Sequence, residues 1–265
     1  MKKILYFACL ALLMTSCSMK TYYQVVDVKS TNLQKESNNY VYNDGVCKVV
    51  YNFWEKGGNA GFSITNLSDE IIYLDLGNTF YIKNGIAYDY YRARTHGTGK
   101  NVKLVVAKSS LTNSMVTSSE SNQEVSYIEK PVVAIPPHAS KSFSEYEITT
   151  DVFQNCSVKM MVKKDQPDGI TFSESEAPIH FQNYITYRKG ENGEAKVVKN
   201  DFHISGFTNY LSKDIIVSKK YGCKQTAIKK IHKEYAPNRF FVIYNEKHPN
   251  HNSADAKATQ EYQLY

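Results

Sequence analysis

The chain has 265 residues, a formal net charge of +6 and 42% apolar residues. That composition excludes an intrinsically disordered chain and leaves enough apolar mass for one large β domain or two small ones. The mild positive excess does not point to a nucleic-acid partner.

At the N-terminus, Lys2 and Lys3 precede an unbroken apolar run, Ile4 to Met14, and then come Thr15, Ser16 and Cys17. A short basic stretch, an apolar stretch and small residues make a secretory signal peptide. The run has 11 residues, short of the ~20 that span a bilayer. Met14-Thr15-Ser16-Cys17 resembles a bacterial lipobox, with Met14 where the pattern usually carries Leu. The resemblance implies that residues 1–16 are removed and that Cys17 is lipidated as the mature N-terminus. The competing reading is a plain signal peptide with an incidental Cys17. Loss of Lys2 and Lys3 would leave a charge of +4, from +6 less two lysines. Residues 17–21 form a tether with Lys20 and no acidic residue. Some lipoproteins carry acidic residues there for surface display, so the expectation is the periplasmic face of an outer membrane.

Short strands follow. Tyr22–Val28 reads as the first strand and Lys29 to Asn39 as a polar loop. Tyr40–Asn43 and Val46–Trp54 flank Asp44-Gly45, a strong hairpin signal. Gly61–Asn66 alternates, with Phe62 and Ile64 on one face. Ile71–Leu76 and Thr79–Ile82 come next, and Asn84-Gly85 predicts a type I′ turn before Ile86–Tyr91. Strands spaced by such turns point to a sandwich or barrel. Arg92–Gln123 reads as a long surface loop, basic at first and rich in Ser, Thr and Asn from Ser109 to Ser121.

Val125–Ile128, Val132–Ile135, Ser140–Ile148, Val158–Val162, His180–Arg188, Lys196–Ser205 and Phe240–Tyr244 complete the predicted strands. Pro136-Pro137 marks an edge or a turn between strands. Pro167-Asp168-Gly169 and Glu191-Asn192-Gly193 mark turns. Thr226–Tyr235 is the one amphipathic helix candidate, with Ile228, Ile231 and Tyr235 near one face. Residues 22–247 are therefore one domain and 248–265 a flexible tail. The 21 tyrosines, against a single Trp, suit half-buried strands. The sharper alternative is an aromatic surface that stacks on sugars or peptides.

Of five cysteines, Cys9 lies in the signal, Cys17 at the lipid site and Cys47 in a strand-like run. Cys156 and Cys223 sit in turn-like settings and are the pair to bridge, if any pair is. Ser212 to Arg239 carries eight positive and two negative residues. Its cluster Lys219, Lys220, Lys224, Lys229, Lys230 and Lys233 is either a solvated face or a surface for anionic headgroups, an acidic glycan or a protein.

No sequence motif brings catalysis, a cofactor or a metal. G-x-S-x-G and a phosphate loop are absent, and Asp69-Glu70 and Glu174/Glu176 read as solvated charges rather than a glycosidase pair. His248 and His251, split by Pro249, read as surface tail.

The run from Phe62 to Tyr91, FSITNLSDEIIYLDLGNTFYIKNGIAYDYY, resembles a segment of uncharacterised Gram-negative lipoproteins with an immunoglobulin-like sandwich. The quoted run is 30 of the 265 residues, and the resemblance implies a mainly β, immunoglobulin-like sandwich and export, without catalytic residues. The expectation is a lipid-anchored, non-catalytic binding or envelope-structural protein. The first alternative is a glycan-binding accessory of nutrient uptake, which requires coplanar exposed tyrosines. The second is an adhesion or assembly subunit, which requires an open edge or a removable Tyr22–Val28 strand. An enzyme stands third.

Overall fold

A computed structural model describes residues 19–99, 124–221 and 227–246. The signal segment, Cys17, the Ser109–Ser121 stretch, Cys223, Lys224 and the 248–265 tail lie outside the described residues.

The expected mainly β sandwich is present. The smaller sheet is built from β2 (Gln34–Glu36), β3 (Asn39–Asn43), β4 (Cys47–Tyr51), β5 (Phe62–Asn66) and β12 (Ser140–Phe143). Their order is β12-β5-β4-β3-β2, all antiparallel. The period-2 alternation of the sequence sets the buried face: every second residue of β4 and β5 is buried, Phe62 and Ile64 included.

The larger sheet takes β1 (Thr21–Ser30), β6 (Ile72–Asp75), β11 (Val132–Ile135), β14 (His180–Lys189), β15 (Ala195–Leu211) and β18 (Arg239–Asn245) in the order β11-β6-β14-β15-β1-β18. The hairpin of β7 (Phe80–Lys83) and β8 (Ile86–Asp89) pairs with β14, and β13 (Asp168–Thr171) pairs with β15. The β7–β8 turn has Asn84 and Gly85 at φ +48° and +83°, as a type I′ turn requires. β13 lies so close to β15 that a Cβ on Gly206 would sit 2.5 Å from the Ile170 carbonyl oxygen.

The core between the sheets is aromatic. Phe53 meets Phe181 and Phe202 edge-on, with ring centroids at 5.6 and 5.1 Å, and Phe181 stacks on Phe202 at 5.1 Å. Tyr22, Tyr40, Tyr51, Tyr81, Tyr90, Tyr187 and Tyr244 are buried. All of their hydroxyls but that of Tyr81, which is buried without a partner among the described residues, reach acceptors or donors within the protein: Tyr51 takes a bond from Asn200 Nδ2 at 2.6 Å, and Tyr90 donates to Asn183 Oδ1 at 2.8 Å.

Three local expectations are corrected. Thr226–Tyr235 does not form the short C-terminal helix: β17 (Ala227–His232) is a strand paired with β16 (Ile216–Tyr221). The helix of this region is a single turn, α1 (Ser212–Ile215). A short run with apolar residues at 228 and 231 fits a helix in isolation, and cross-strand pairing overrides that weak local period. Val158–Val162 is not a strand. Its backbone is held by side chains instead: Asn209 Nδ2 donates to the Lys159 carbonyl at 3.0 Å, and the Tyr244 hydroxyl to that of Met160 at 2.5 Å. Within the expected Arg92–Gln123 loop, Thr95–Gly99 is a strand, β9, paired with β10 (Glu124–Ile128), which is the strand expected at Val125–Ile128.

Candidate functional site: a cleft at the sandwich edge

β11 ends the larger sheet and β12 ends the smaller one, each with a strand partner on one side only among the described residues. Pro136-Pro137 lies in the four-residue link that carries the chain between them, consistent with its sequence reading. Where the edges face each other, a cleft of about 780 Å³ opens, and Tyr73, Arg94, Glu129, Lys141, Glu145 and Arg188 line it.

Arg94 is clamped. Its Nη2 lies 2.7 Å from Glu129 Oε1 and its Nη1 2.5 Å from Glu145 Oε2. The backbone N–H groups of Arg92 and Arg94 both donate to Glu129 Oε2, at 3.0 and 3.3 Å. Burial opposes the Glu129 charge, but the Arg94 side chain and these N–H groups outweigh it and hold the carboxyl at about 2. Its two glutamates raise Arg94 further above its ordinary value. This cluster is an ion-pair brace, because an ionised carboxylate in a charge-assisted bond cannot give up a proton at neutral pH.

Arg188 differs. Its guanidinium lies 5.3 Å from the centre of the Tyr73 ring, a cation–π contact. The Nε groups of both Arg94 and Arg188 are buried without a hydrogen-bond partner. Buried donors are paired in nearly all proteins, so two unpaired ones in one cleft fit an acceptor brought by a ligand. A carboxylate matches a guanidinium edge in a two-bond fork.

A smaller pocket of about 270 Å³ lies against β14 and β15 and holds Glu174, His180, Asp201 and His203. His180 Nε2 sits 2.8 Å from the Glu174 carbonyl oxygen, and burial lowers the pKa of His203. Among the described residues, no three His, Cys, Asp or Glu side chains are arranged to hold a metal ion.

The residues singled out in the sequence lie elsewhere. Cys156 is exposed with a free thiol, and Cys223, its expected partner, is outside the described residues. Lys219, Lys220, Lys229 and Lys230 fall on the β16–β17 hairpin, and Lys233 just beyond it is exposed. The cleft residues carry no local motif. Arg94 and its two partners are 35 and 51 residues apart in sequence, so only the basic character of Arg92–Lys100 hinted at them.

Comparison with known proteins finds no matching family model, no similar curated protein and no similar solved structure. The fold and site define a class and no narrower identity: an antiparallel β-sandwich with a charged cleft between two open strand edges.

Proposed function

We propose that the chain is an exported lipoprotein, anchored through lipid on Cys17, whose sandwich binds a ligand and does not transform it. The cleft takes a carboxylate-bearing ligand, an acidic glycan or an acidic segment of an envelope protein. The observation that carries this reading is the pair of unpartnered Nε donors of Arg94 and Arg188 in one cleft. The ion-pair brace on Arg94 supports binding over catalysis, since it provides a fixed charge pattern and no poised acid or base. The lipobox-like Met14–Cys17 and the neutral-to-basic tether support an outer-membrane anchor on the periplasmic face.

A second reading, an assembly subunit, draws on the open edge of β11. The Tyr22–Val28 strand does not serve it, because β1 is paired on both sides, to β15 and β18. A sugar-stacking tyrosine face has little support, since Tyr88 and Tyr235 are the tyrosines among the exposed large side chains described.

The test is an NMR titration of the arginine Nε–H resonances with two carboxylate probes, a hexaglutamate peptide and tetragalacturonate. The Arg188 signal, identified by its absence from Arg188→Gln, should move with at least one probe, and the responding probe separates peptide from glycan. An Arg188 signal that moves with neither overturns the cleft assignment. Fatty-acid labelling of the native chain against Cys17→Ser tests the anchor separately, and absence of label on both overturns it.

A further inference from the structure

We infer that the β16–β17 hairpin is a second membrane contact, lying on the anionic headgroups of the bilayer beside the Cys17 anchor; this rests on the lipoprotein reading above. The argument starts from where the tether ends. β1 begins at Thr21, so four Cα steps separate it from Cys17. At ~3.5 Å each these span about 14 Å. A lipid on Cys17 therefore holds the start of β1 close to the headgroups.

The hairpin springs from that same place. Tyr22 pairs directly with Leu211, the last residue of β15. One turn of helix, α1, joins Leu211 to β16. The returning strand ends at His232, whose ring lies 5.6 Å from that of Tyr23. The foot is fixed to the sandwich. Lys233 N–H donates to the Ile215 carbonyl at 2.9 Å, and the His232 ring packs at 4.7 Å on Phe241 and 5.5 Å from Trp54. A six-residue strand is about 20 Å long, so the hairpin stays within reach of the surface to which the anchor holds its foot.

Its charge is unbalanced. Lys213, Lys219, Lys220, Lys229, Lys230 and Lys233 stand against Asp214 and Glu234. Both acids are engaged elsewhere: Asp214 accepts the Asp165 N–H at 2.9 Å, and Glu234 pairs with Arg239 at 3.0 Å. The register sets Lys219 directly opposite Lys229. Like charges at directly opposed positions destabilise an isolated pair of strands. A negative surface turns that cost into attraction. A basic ribbon rooted at the anchor end thus fixes which side of the domain faces the membrane.

The experiment uses the unlipidated chain from Ser18 onward, which contains every described residue and so the whole sandwich. It is mixed with vesicles of phosphatidylglycerol and phosphatidylcholine, and with phosphatidylcholine alone. Sedimentation should show binding to the anionic vesicles only, weakening as salt rises. Replacing Lys219, Lys220, Lys229 and Lys230 together by Gln should lower the partition coefficient by about 600-fold, since each lysine near the surface contributes roughly a factor of five. The same four positions as Arg should retain binding. A matching circular-dichroism melt shows that the Gln variant is folded. Equal binding to neutral vesicles, unchanged binding by the folded Gln variant, or retention on an acidic polysaccharide without vesicle binding overturns the assignment. Because the probe chain lacks lipid, failure here leaves the Cys17 labelling result standing, and failure of labelling leaves the vesicle result readable.

Discussion

The Tyr187 hydroxyl, on the larger sheet, donates to Asp44 Oδ2 in the β3–β4 turn of the smaller one. The same carboxylate receives Lys196 Nζ at 2.6 Å, the Tyr42 hydroxyl at 3.2 Å and the N–H groups of Val46 and Cys47 at 3.0 and 2.8 Å. Burial opposes its charge, but these donors hold the carboxyl well below the ordinary range. The residue that shapes the turn therefore also ties the two sheets together. Removing it strands several donors at once. Asp44→Ala should cost about 2–4 kcal/mol, a large single-site loss. Lys196→Ala should cost less than about 1 kcal/mol, because that side chain is half exposed. Urea midpoints of the two variants check the difference.

A buried amide pair makes a comparable tie. Gln24 Nε2 donates to Asn209 Oδ1 and to the Phe153 carbonyl, both at 2.9 Å, and Gln24 Oε1 accepts the Phe153 N–H at 2.8 Å. Gln24 and Asn209 are wholly buried. Together they pin the irregular segment around residues 153–160 to the larger sheet. Gln24→Leu leaves the Phe153 backbone unpaired and should cost about 2–3 kcal/mol. Hydrogen exchange at the Phe153 amide should speed up more than exchange in β14, which separates loss of this tie from global unfolding.

That segment also shows where sequence reading runs out. Val158–Val162 has the apolar pattern of a strand, but the decision lies with Asn209 and Tyr244, distant residues whose side chains take its carbonyls. The strands from Tyr40 to Tyr91 were legible because alternation and the Asp44-Gly45 and Asn84-Gly85 turns are local signals. β2 was not, since Gln34–Glu36 is polar and exposed and joins the sheet by pairing with β3 alone. The cleft was illegible for a related reason. Arg94, Glu129, Glu145 and Arg188 come from four separate stretches, and only the meeting of two sheet edges makes them neighbours.

Acid should weaken the fold through Asp44 and Glu129. Both carboxyls are depressed in the folded state, Glu129 to about 2. A depressed folded value means that their stabilisation is complete above about pH 4.5 and is lost as pH falls towards 2. The melting temperature should therefore fall steeply between about pH 4.5 and 2. In Glu129→Gln the fall should be shallower over that window. An identical pH profile in the variant would remove Glu129 from the account.

The single Trp reports on the foot of the hairpin. Trp54 lies edge-on to His232 at 5.5 Å and to Tyr235 at 5.5 Å, and His232 also packs on Tyr23 and Phe241. Burial alone lowers the His232 pKa, as no carboxylate is among these neighbours. A protonated imidazole quenches indole emission, so Trp54 fluorescence should drop as pH falls through a midpoint below 6.5, the ordinary histidine value. Because the folded value is the depressed one, His232 favours the fold above about pH 6.5 and withdraws that support on acidification. His232→Gln should abolish the fluorescence step while Trp54 keeps its aromatic contacts with Tyr235 and Phe241. A step that persists in the variant would place the titrating group elsewhere and detach the hairpin foot from Trp54.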